Sequence, residues 1–374
     1  MRAECREAST LIHPDPRHVL SFDREGRLYT FYDDGILYKR ALDSTLHWRR
    51  RAPGGPRERG VLDPEEALEV FARVQAHARR AAELLEPDCA ARVEREILPW
   101  TPERLAAERE RFSAVYRPIA ILPPDQYFSI VVQATEGCTW NKCTFCSFYQ
   151  GRPFHAKTPE RLRAHAEAVR GFLGRQLLLR RGVFLADGNA LALSRARLLP
   201  IFEAVREVFP GRRIYGFVDL YSGERHDPAD WGELAGLGLE RVYVGMETGL
   251  DELLAFLNKP GSAAELVAFV RELKAAGLSV GLIVMVGVGG RAYREAHARA
   301  TLEALARMPL DRGDLVYLSP FVEHPDSVYA RERAAAGLAP MPWEAIEAET
   351  ARLAEAVRRL GVRAARYDIR EFVY

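Results

Sequence analysis

Cysteine is scarce in this chain. Five occur in 374 residues, and two of them, Cys5 and Cys89, stand far from the others. That is too few for a disulfide-stapled secreted scaffold, which needs a dense cysteine framework. Lysine is nearly missing: it appears only at 39, 142, 157, 259 and 274, so 48 of the 53 basic residues are arginine, a bias that reads as compositional. No charge of one sign prevails, because 53 basic residues meet 52 acidic ones for a net charge of +1; a global pull toward nucleic acid or a membrane surface is excluded. No run approaches the ~18 consecutive apolar residues of a membrane-spanning helix. The first ten residues, MRAECREAST, are not followed by the apolar core of a signal peptide. No internal repeat is evident. What remains is ordinary for a globular protein: 48% hydrophobic and 28% charged residues, with room for one large domain plus extensions.

The other three cysteines fall within nine positions, in Gly137-Cys138-Thr139-Trp140-Asn141-Lys142-Cys143-Thr144-Phe145-Cys146. Three thiolates cannot all pair off as disulfides, and three sulfurs are one short of a closed zinc site. Three suffice to hold a four-iron cluster with one iron open. Other readings stay in view. A zinc knuckle would take His155 as its fourth ligand. A Cys143–Cys146 redox pair would leave Cys138 unexplained. Inert, buried cysteines are the third. Cys5 and Cys89 have no neighbouring ligand and read as bystanders. Free cysteines and an oxygen-sensitive cluster both predict the cytoplasm.

Residues 1 to about 55 read as a small β element, with Val19–Asp23, Leu28–Tyr32 and Ile36–Arg40 separated by turn residues. The Pro/Gly-dense stretch from His47 to Gly60 reads as a basic linker, with its arginines and Trp48 a candidate RNA contact. Asp63-Pro64 and Thr101-Pro102 open two helices, to about Leu85 and Val115. After Pro123-Pro124 the rhythm changes. Strand patterns at 127–135, 182–186, 212–218, 240–246, 279–286 and 314–319 alternate with helix patterns at 158–173, 194–208, 227–236, 250–257, 262–276 and 293–307. Six strands alternating with helices imply an α/β fold with a parallel sheet. Six is too few for a closed eight-stranded barrel, so a partial (β/α)6 barrel is expected. A helix over 343–360 and an aromatic-rich tail follow. The domains expected are 1–120 (N-terminal β/helical extension), 121–320 (barrel) and 321–374 (C-terminal helix and tail).

The cysteine loop leaves the C-terminal end of a strand, where parallel α/β folds build their sites. It resembles the cluster loop of the radical S-adenosylmethionine (radical SAM) superfamily, whose common form is C-x3-C-x-aromatic-C. Here the form is C-x4-C-x-F-C, with one residue inserted; a C-W-N-x-C-x-F-C form occurs in a subset of the superfamily. The resemblance, spanning about residues 127–320, implies the same partial barrel and an enzyme. It implies a 4Fe-4S cluster on Cys138, Cys143 and Cys146, with S-adenosylmethionine chelating the fourth iron. Phe145 would pack beside the adenine. Asp187-Gly188-Asn189 stands where the family has a Gly-Gly-Glu-like motif that holds the amino group of S-adenosylmethionine. Glu247 would contact its ribose or methionine part. Gly281, Ile283 and Gly287 match the glycine pattern that seats adenine.

The resemblance further implies a 5′-deoxyadenosyl radical and an external one-electron donor such as flavodoxin or ferredoxin. With no second cysteine cluster, reactions that need an auxiliary iron–sulfur site are disfavoured, and no Asp-x-His-x-x-Gly cobalamin motif is present. The substrate is expected to be a small molecule. Candidates to meet it are His324, Tyr329, Tyr221, Glu224, Tyr367 and Asp368; Asn258 and Lys259 are further candidates for the site. Two other functions stay open: a zinc-stabilised nucleic-acid-binding protein, and a radical SAM enzyme that modifies tRNA.

Overall fold

A computed structural model describes residues 1–51, 57–223 and 226–374. The chain forms two compact units. The first comprises Met1–Ile119, Glu167–Arg181 and Val373–Tyr374; the second comprises Ala120–Ala166 and Gly182–Phe372.

The first unit is built on seven antiparallel strands whose sheet order follows the chain: β1 (Arg2–Cys5), β2 (Ser9–Asp15), β3 (His18–Asp23), β4 (Leu28–Asp33), β5 (Ile36–Arg40), β6 (Leu46–Arg51) and β7 (Arg57–Val61). Ile12, Leu20, Phe22, Leu28 and Phe31 form a buried face. Helix α1 (Pro64–Leu84) lays a stripe of Ala67, Val70, Phe71, Val74 and Ala78 into the same core, the spacing of one helix face. Asp63 caps it, accepting from the Glu66 amide at 2.9 Å while Glu66 reaches back to the Asp63 amide at 3.0 Å. Helices α2 (Pro87–Arg92) and α3 (Pro102–Val115) follow.

Two readings are corrected here. The stretch from His47 to Gly60 is not a linker but a hairpin, with His47 opposite Val61 and Arg51 opposite Arg57. Its basic residues are strand residues with cross-strand partners, as in the 2.6 Å Arg50–Glu58 pair. Residues Ala52, Pro53, Gly54, Gly55 and Pro56 lie outside the described residues. Cys5 and Cys89 are not bystanders either: they form a disulfide, their Cα atoms 6.0 Å apart.

The second unit is the parallel sheet. Its strands are β8 (Ile130–Gln133), β11 (Val183–Ala186), β12 (Ile214–Phe217), β13 (Leu239–Glu247), β14 (Ser279–Val286), β15 (Leu315–Pro320) and β16 (Arg363–Arg366), adjacent in that order; β9 (Thr135–Glu136) and β10 (His155–Ala156) form a separate two-residue ribbon. Strands β8, β11 and β15 are buried at every position, as expected of parallel strands covered on both faces. In chain order, helices α4 (Pro159–Leu173, whose residues from Glu167 on belong to the first unit), α5 (Arg195–Val208), α6 (Leu220–Gly223), α7 (Pro228–Gly236), α8 (Asp251–Phe256), α9 (Ala263–Ala275) and α10 (Gly290–Ala306) connect them; α11 (Val328–Ala335) and α12 (Trp343–Arg359) lie between β15 and β16. The sheet has seven strands rather than six, because β16 pairs with β15 from Leu315↔Arg363 to Leu318↔Arg366. The outer strands β8 and β16 are not paired with each other, so the arrangement is an open, partial barrel. Among the described residues no helix is long and apolar enough to cross a membrane.

Candidate active site

The cysteine loop runs from β9 to β10, and its own side chains shape it. Gly137 takes φ +76°, and a Cβ there would lie 2.7 Å from the Arg152 carbonyl oxygen, so only glycine fits the turn into Cys138. Asn141 also takes a left-handed φ of +49° and donates its amide to the Tyr149 carbonyl at 2.8 Å, closing the loop on itself. The loop is then tied to its surroundings. Thr139 donates to Asp219 at 2.9 Å, and Asn189 donates to Thr139 at 2.6 Å. The Trp140 indole donates to the Asn258 carbonyl at 2.8 Å, and Asn258 donates to the Lys142 carbonyl at 3.0 Å. The Thr144 amide reaches the Leu257 carbonyl at 3.1 Å, and the Tyr329 amide reaches the Thr144 carbonyl at 3.0 Å.

Cys138, Cys143 and Cys146 are free thiols, each half-buried, and all three line one cavity of about 220 Å³. A single water needs only roughly 10–15 Å³ by the same measure, so the space suits a ligand rather than a lone ion. Among the described residues no three His, Cys, Asp or Glu side chains converge on one metal-ion position. His155, the fourth ligand of the zinc reading, stands on β10 beside Glu136 at 3.7 Å and does not line the cavity.

The opposite side of the cavity carries an ion pair that two local distortions create. Between Gly245 and Glu247, strand β13 slips register against β14, leaving Met246 as the extra residue; such a bulge re-aims the side chain that follows. Glu247 takes φ +57°. Helix α8 ends with Asn258 at φ +49°, its amide bonded to the Ala255 carbonyl and the Lys259 amide to the Leu254 carbonyl. This is a Schellman ending, and Lys259 emerges from it to meet Glu247 at 3.1 Å, both side chains nearly buried.

Of the residues singled out from sequence, Phe145, Gly188, Glu247 and Ile283 line the cavity with the three cysteines, as do Lys259, His324 and the ring of Tyr367. Asp187 and Asn189 do not. Asp187 lies behind Gly188, beside the Tyr149 hydroxyl at 3.3 Å and Arg152 at 3.9 Å. Asn189 is consumed by the loop network: besides Thr139, its amide donates to Asp219 and Ser222, and its oxygen accepts from the Asp219 amide at 3.0 Å. The two glycines are placed otherwise than expected. The space a Cβ would take at Gly281 lies 2.4 Å from the Tyr243 ring, and at Gly287, φ +95°, it lies 2.8 Å from Ile346; protein side chains fill both. Tyr329 accepts from the Gly289 amide at 2.8 Å in a neighbouring pocket. Tyr221 is exposed next to Trp140. Asp368 is buried between Arg366 and Arg370. Glu224 lies outside the described residues.

Sequence reasoning missed Tyr149 and Asp219, both in the cavity wall. Tyr149 follows the motif by three positions and is 5% exposed, but its packing against Gly188 is non-local. Asp219 follows a strand end, the one signal that pointed to it.

Residues 132–302 match the family model described as the Radical SAM superfamily. This stretch is a radical SAM domain. Solved structures with a similar chain trace include coproporphyrinogen III oxidase (HemN) of Escherichia coli, at 15% identity over 68% of this chain and 56% of that one, TM-score 0.47. The methyltransferase TsrM of Kitasatospora setae is 17% identical over 59% of this chain and 44% of that one, TM-score 0.44. Methylornithine synthase (PylB) is 16% identical over 81% and 85%, TM-score 0.41. The chain thus spans about half the length of the first two. No curated protein matches its sequence.

Radical SAM enzymes bind a 4Fe-4S cluster and S-adenosylmethionine, and the electrostatics of this domain bear on both. Burial pushes the Cys143 thiol up to about 12, with the Lys259 ammonium pulling the other way, and burial raises Cys146 as well. Left bare, these thiols keep their protons, so metal binding must displace them. Burial raises the Asp187 carboxyl to about 6 against the pull of Arg152. Burial works against the charge of Lys259, but Glu247, Cys143 and Asp219 outweigh it and hold the ammonium above its ordinary range.

Proposed function

We propose that Cys138, Cys143 and Cys146 hold a 4Fe-4S cluster with one iron left open, and that S-adenosylmethionine binds in the adjoining cavity. The protein then acts as a radical SAM enzyme on a small-molecule substrate, supplied with electrons by a flavodoxin- or ferredoxin-type donor. The observation that carries this reading is that three free thiols share one cavity wall with Gly188, Glu247 and Ile283. A four-iron cluster needs each thiolate on its own corner rather than three ligands converging on one ion. No fourth cysteine lies in the loop.

When bound, the cluster and S-adenosylmethionine together supply reductive cleavage to a 5′-deoxyadenosyl radical that removes a hydrogen atom from substrate. The protein's own residues bind, orient and exclude water. Gly188 brings backbone to the cavity wall, and its lack of a Cβ leaves room for the Tyr149 ring packed beside the cysteine loop. Glu247 and Lys259 offer a carboxylate and an ammonium 3.1 Å apart, a match for the ribose hydroxyls and the methionine carboxylate. Phe145 and Ile283 are the apolar surfaces for the adenine. Asp187 and Asn189 act from behind the wall, Asn189 by holding Thr139 and so the cysteine loop.

The test is anaerobic purification with iron, sulfide and zinc analysis, then incubation with S-adenosylmethionine and dithionite. Iron and sulfide with 5′-deoxyadenosine formation are expected. Cys143→Ala should lose both the iron and the product. Zinc without sulfide would replace this reading with a zinc-stabilised binding protein. RNA co-purifying with steep salt dependence would point to a nucleic-acid substrate.

A further inference from the structure

Among the described residues, the cavity beside the cysteines is lined by no arginine, although 48 of the chain's 374 residues are arginine. The one lysine among its described lining residues, Lys259, is already paired with Glu247 at 3.1 Å. Its Asp219 carboxylate is taken by Thr139, Asn189 and Ser222. Away from the cysteines the wall is Phe148, Phe217, Met285, Pro320 and Ile369, with His324 exposed at the rim. A substrate group carrying a net negative charge, beyond the carboxylate of S-adenosylmethionine already matched to Lys259, would be desolvated there with no further counterion among the described residues.

A second pocket, of about 210 Å³, shares Phe321 and Val322 with the first. Its floor is Trp343, Met341, Ile346 and Tyr329. Two arginines reach it, and both are neutralised within the protein. Arg333 holds Glu323 through two hydrogen bonds of 2.7 and 3.1 Å. Arg370 holds Asp368 through bonds of 2.8 and 2.7 Å while its guanidinium stacks 4.0 Å above the Trp343 ring. The chain therefore shields two charges beside an apolar pocket instead of offering them to an anion.

We propose that the substrate is an uncharged, largely apolar molecule long enough to span both pockets. Its reacting carbon lies in the cavity beside the cysteines, and the rest crosses the Phe321–Val322 wall to rest on Trp343, Met341 and Ile346. The inference rests on the function proposed above and narrows its substrate class: phosphate- or carboxylate-rich molecules, nucleic acids among them, are excluded from the reacting position.

The test uses the neutral fluorescent probe Nile red with the anaerobically purified protein, in the absence of S-adenosylmethionine. One probe per chain is expected to bind with blue-shifted emission. The alcohol 1-decanol should displace it, and decanoate, of equal length but charged, should do so about tenfold less well or worse. Ile346→Asp should weaken probe binding by about tenfold or more, because it places a carboxylate in the pocket floor. Trp343→Ala, at the half-exposed start of α12, removes a ring from the floor and should also weaken it. Equal displacement by decanoate and decanol, or wild-type binding by a folded Trp343→Ala protein, would overturn the proposal. Formation of 5′-deoxyadenosine by the wild-type protein, measured separately, tests the parent reading, so the two failures are distinguishable.

Discussion

Replacing Lys259 by methionine keeps the length and apolar stem of the side chain and removes only its charge. The 3.1 Å pair with Glu247 has side-chain exposures of 12% and 9%, so little water reaches it. At that distance, and with an effective dielectric of about 20, the gross attraction is roughly 5 kcal/mol. Much of it offsets the desolvation of both charges. Breaking the pair is nevertheless expensive, because Glu247 stays buried with no partner, and such single removals cost about 3–5 kcal/mol. Lys259→Met should therefore lose about 3–5 kcal/mol in urea unfolding, read by two probes because the chain has two compact units. Glu247→Gln should lose a similar amount by stranding the ammonium. The double variant has no charge left to strand and should lose no more than either single variant, so the two losses should fall short of additivity by about 3–5 kcal/mol. Losses that simply add in the double variant, or a Lys259→Met protein within about 1 kcal/mol of wild type, would show that the pair is solvated; the role given to this side of the cavity would then fall.

Two other substitutions probe the surroundings. His297 is buried against Thr248 at 2.7 Å, and burial lowers it to about 4 from a usual value near 6.5; since its folded value is depressed, the stability it carries is fully present above about pH 6.5 and is lost as pH falls toward 4, by about 2 kcal/mol at pH 5. His297→Gln should flatten the difference in unfolding free energy between pH 7 and pH 5, and an unchanged slope would reject the assignment. Gly188→Ala would set a Cβ 2.6 Å from the Tyr149 ring and 3.0 Å from the Gly137 carbonyl oxygen, an overpacking worth about 1–3 kcal/mol; iron content after reconstitution should fall with it, and normal stability together with normal iron would refute the close packing.

The parts of the fold legible in the sequence are those whose signals are local. Asp63, Thr101 and Ser262 announce helix starts, and each accepts from a backbone amide within its own first turn. The six apolar strands of the parallel sheet stand out because a strand covered on both faces must be apolar at nearly every position. Strand β16 escapes this logic. Its sequence, RAAR, has exposed arginines at both ends, as befits the outer strand of an open sheet, and only its ladder with β15 makes it a strand. Strand β6, LHWRRR, hides for the same reason: its pairing, not its composition, settles it.

The site divides along the same line. Three cysteines within nine positions are a local pattern, and they do share a cavity wall. A polar residue at a strand end is a weaker signal, because the strand end fixes where the backbone stops but not where the side chain turns. Asp187 and Asn189 flank Gly188 and both turn away from the cavity. Asn189 turns because Thr139, 50 positions earlier, and Asp219, 30 positions later, together satisfy its amide more fully than the cavity does. Gly281 in β14 and Gly287 just beyond its end follow the same rule. Glycine in a buried strand signals a close approach, but the sequence does not say whose approach it is, and at Gly281 and Gly287 the nearest atoms belong to Tyr243 and Ile346. A residue type at a strand end thus locates a wall, and only its long-range partners decide which side of that wall it serves.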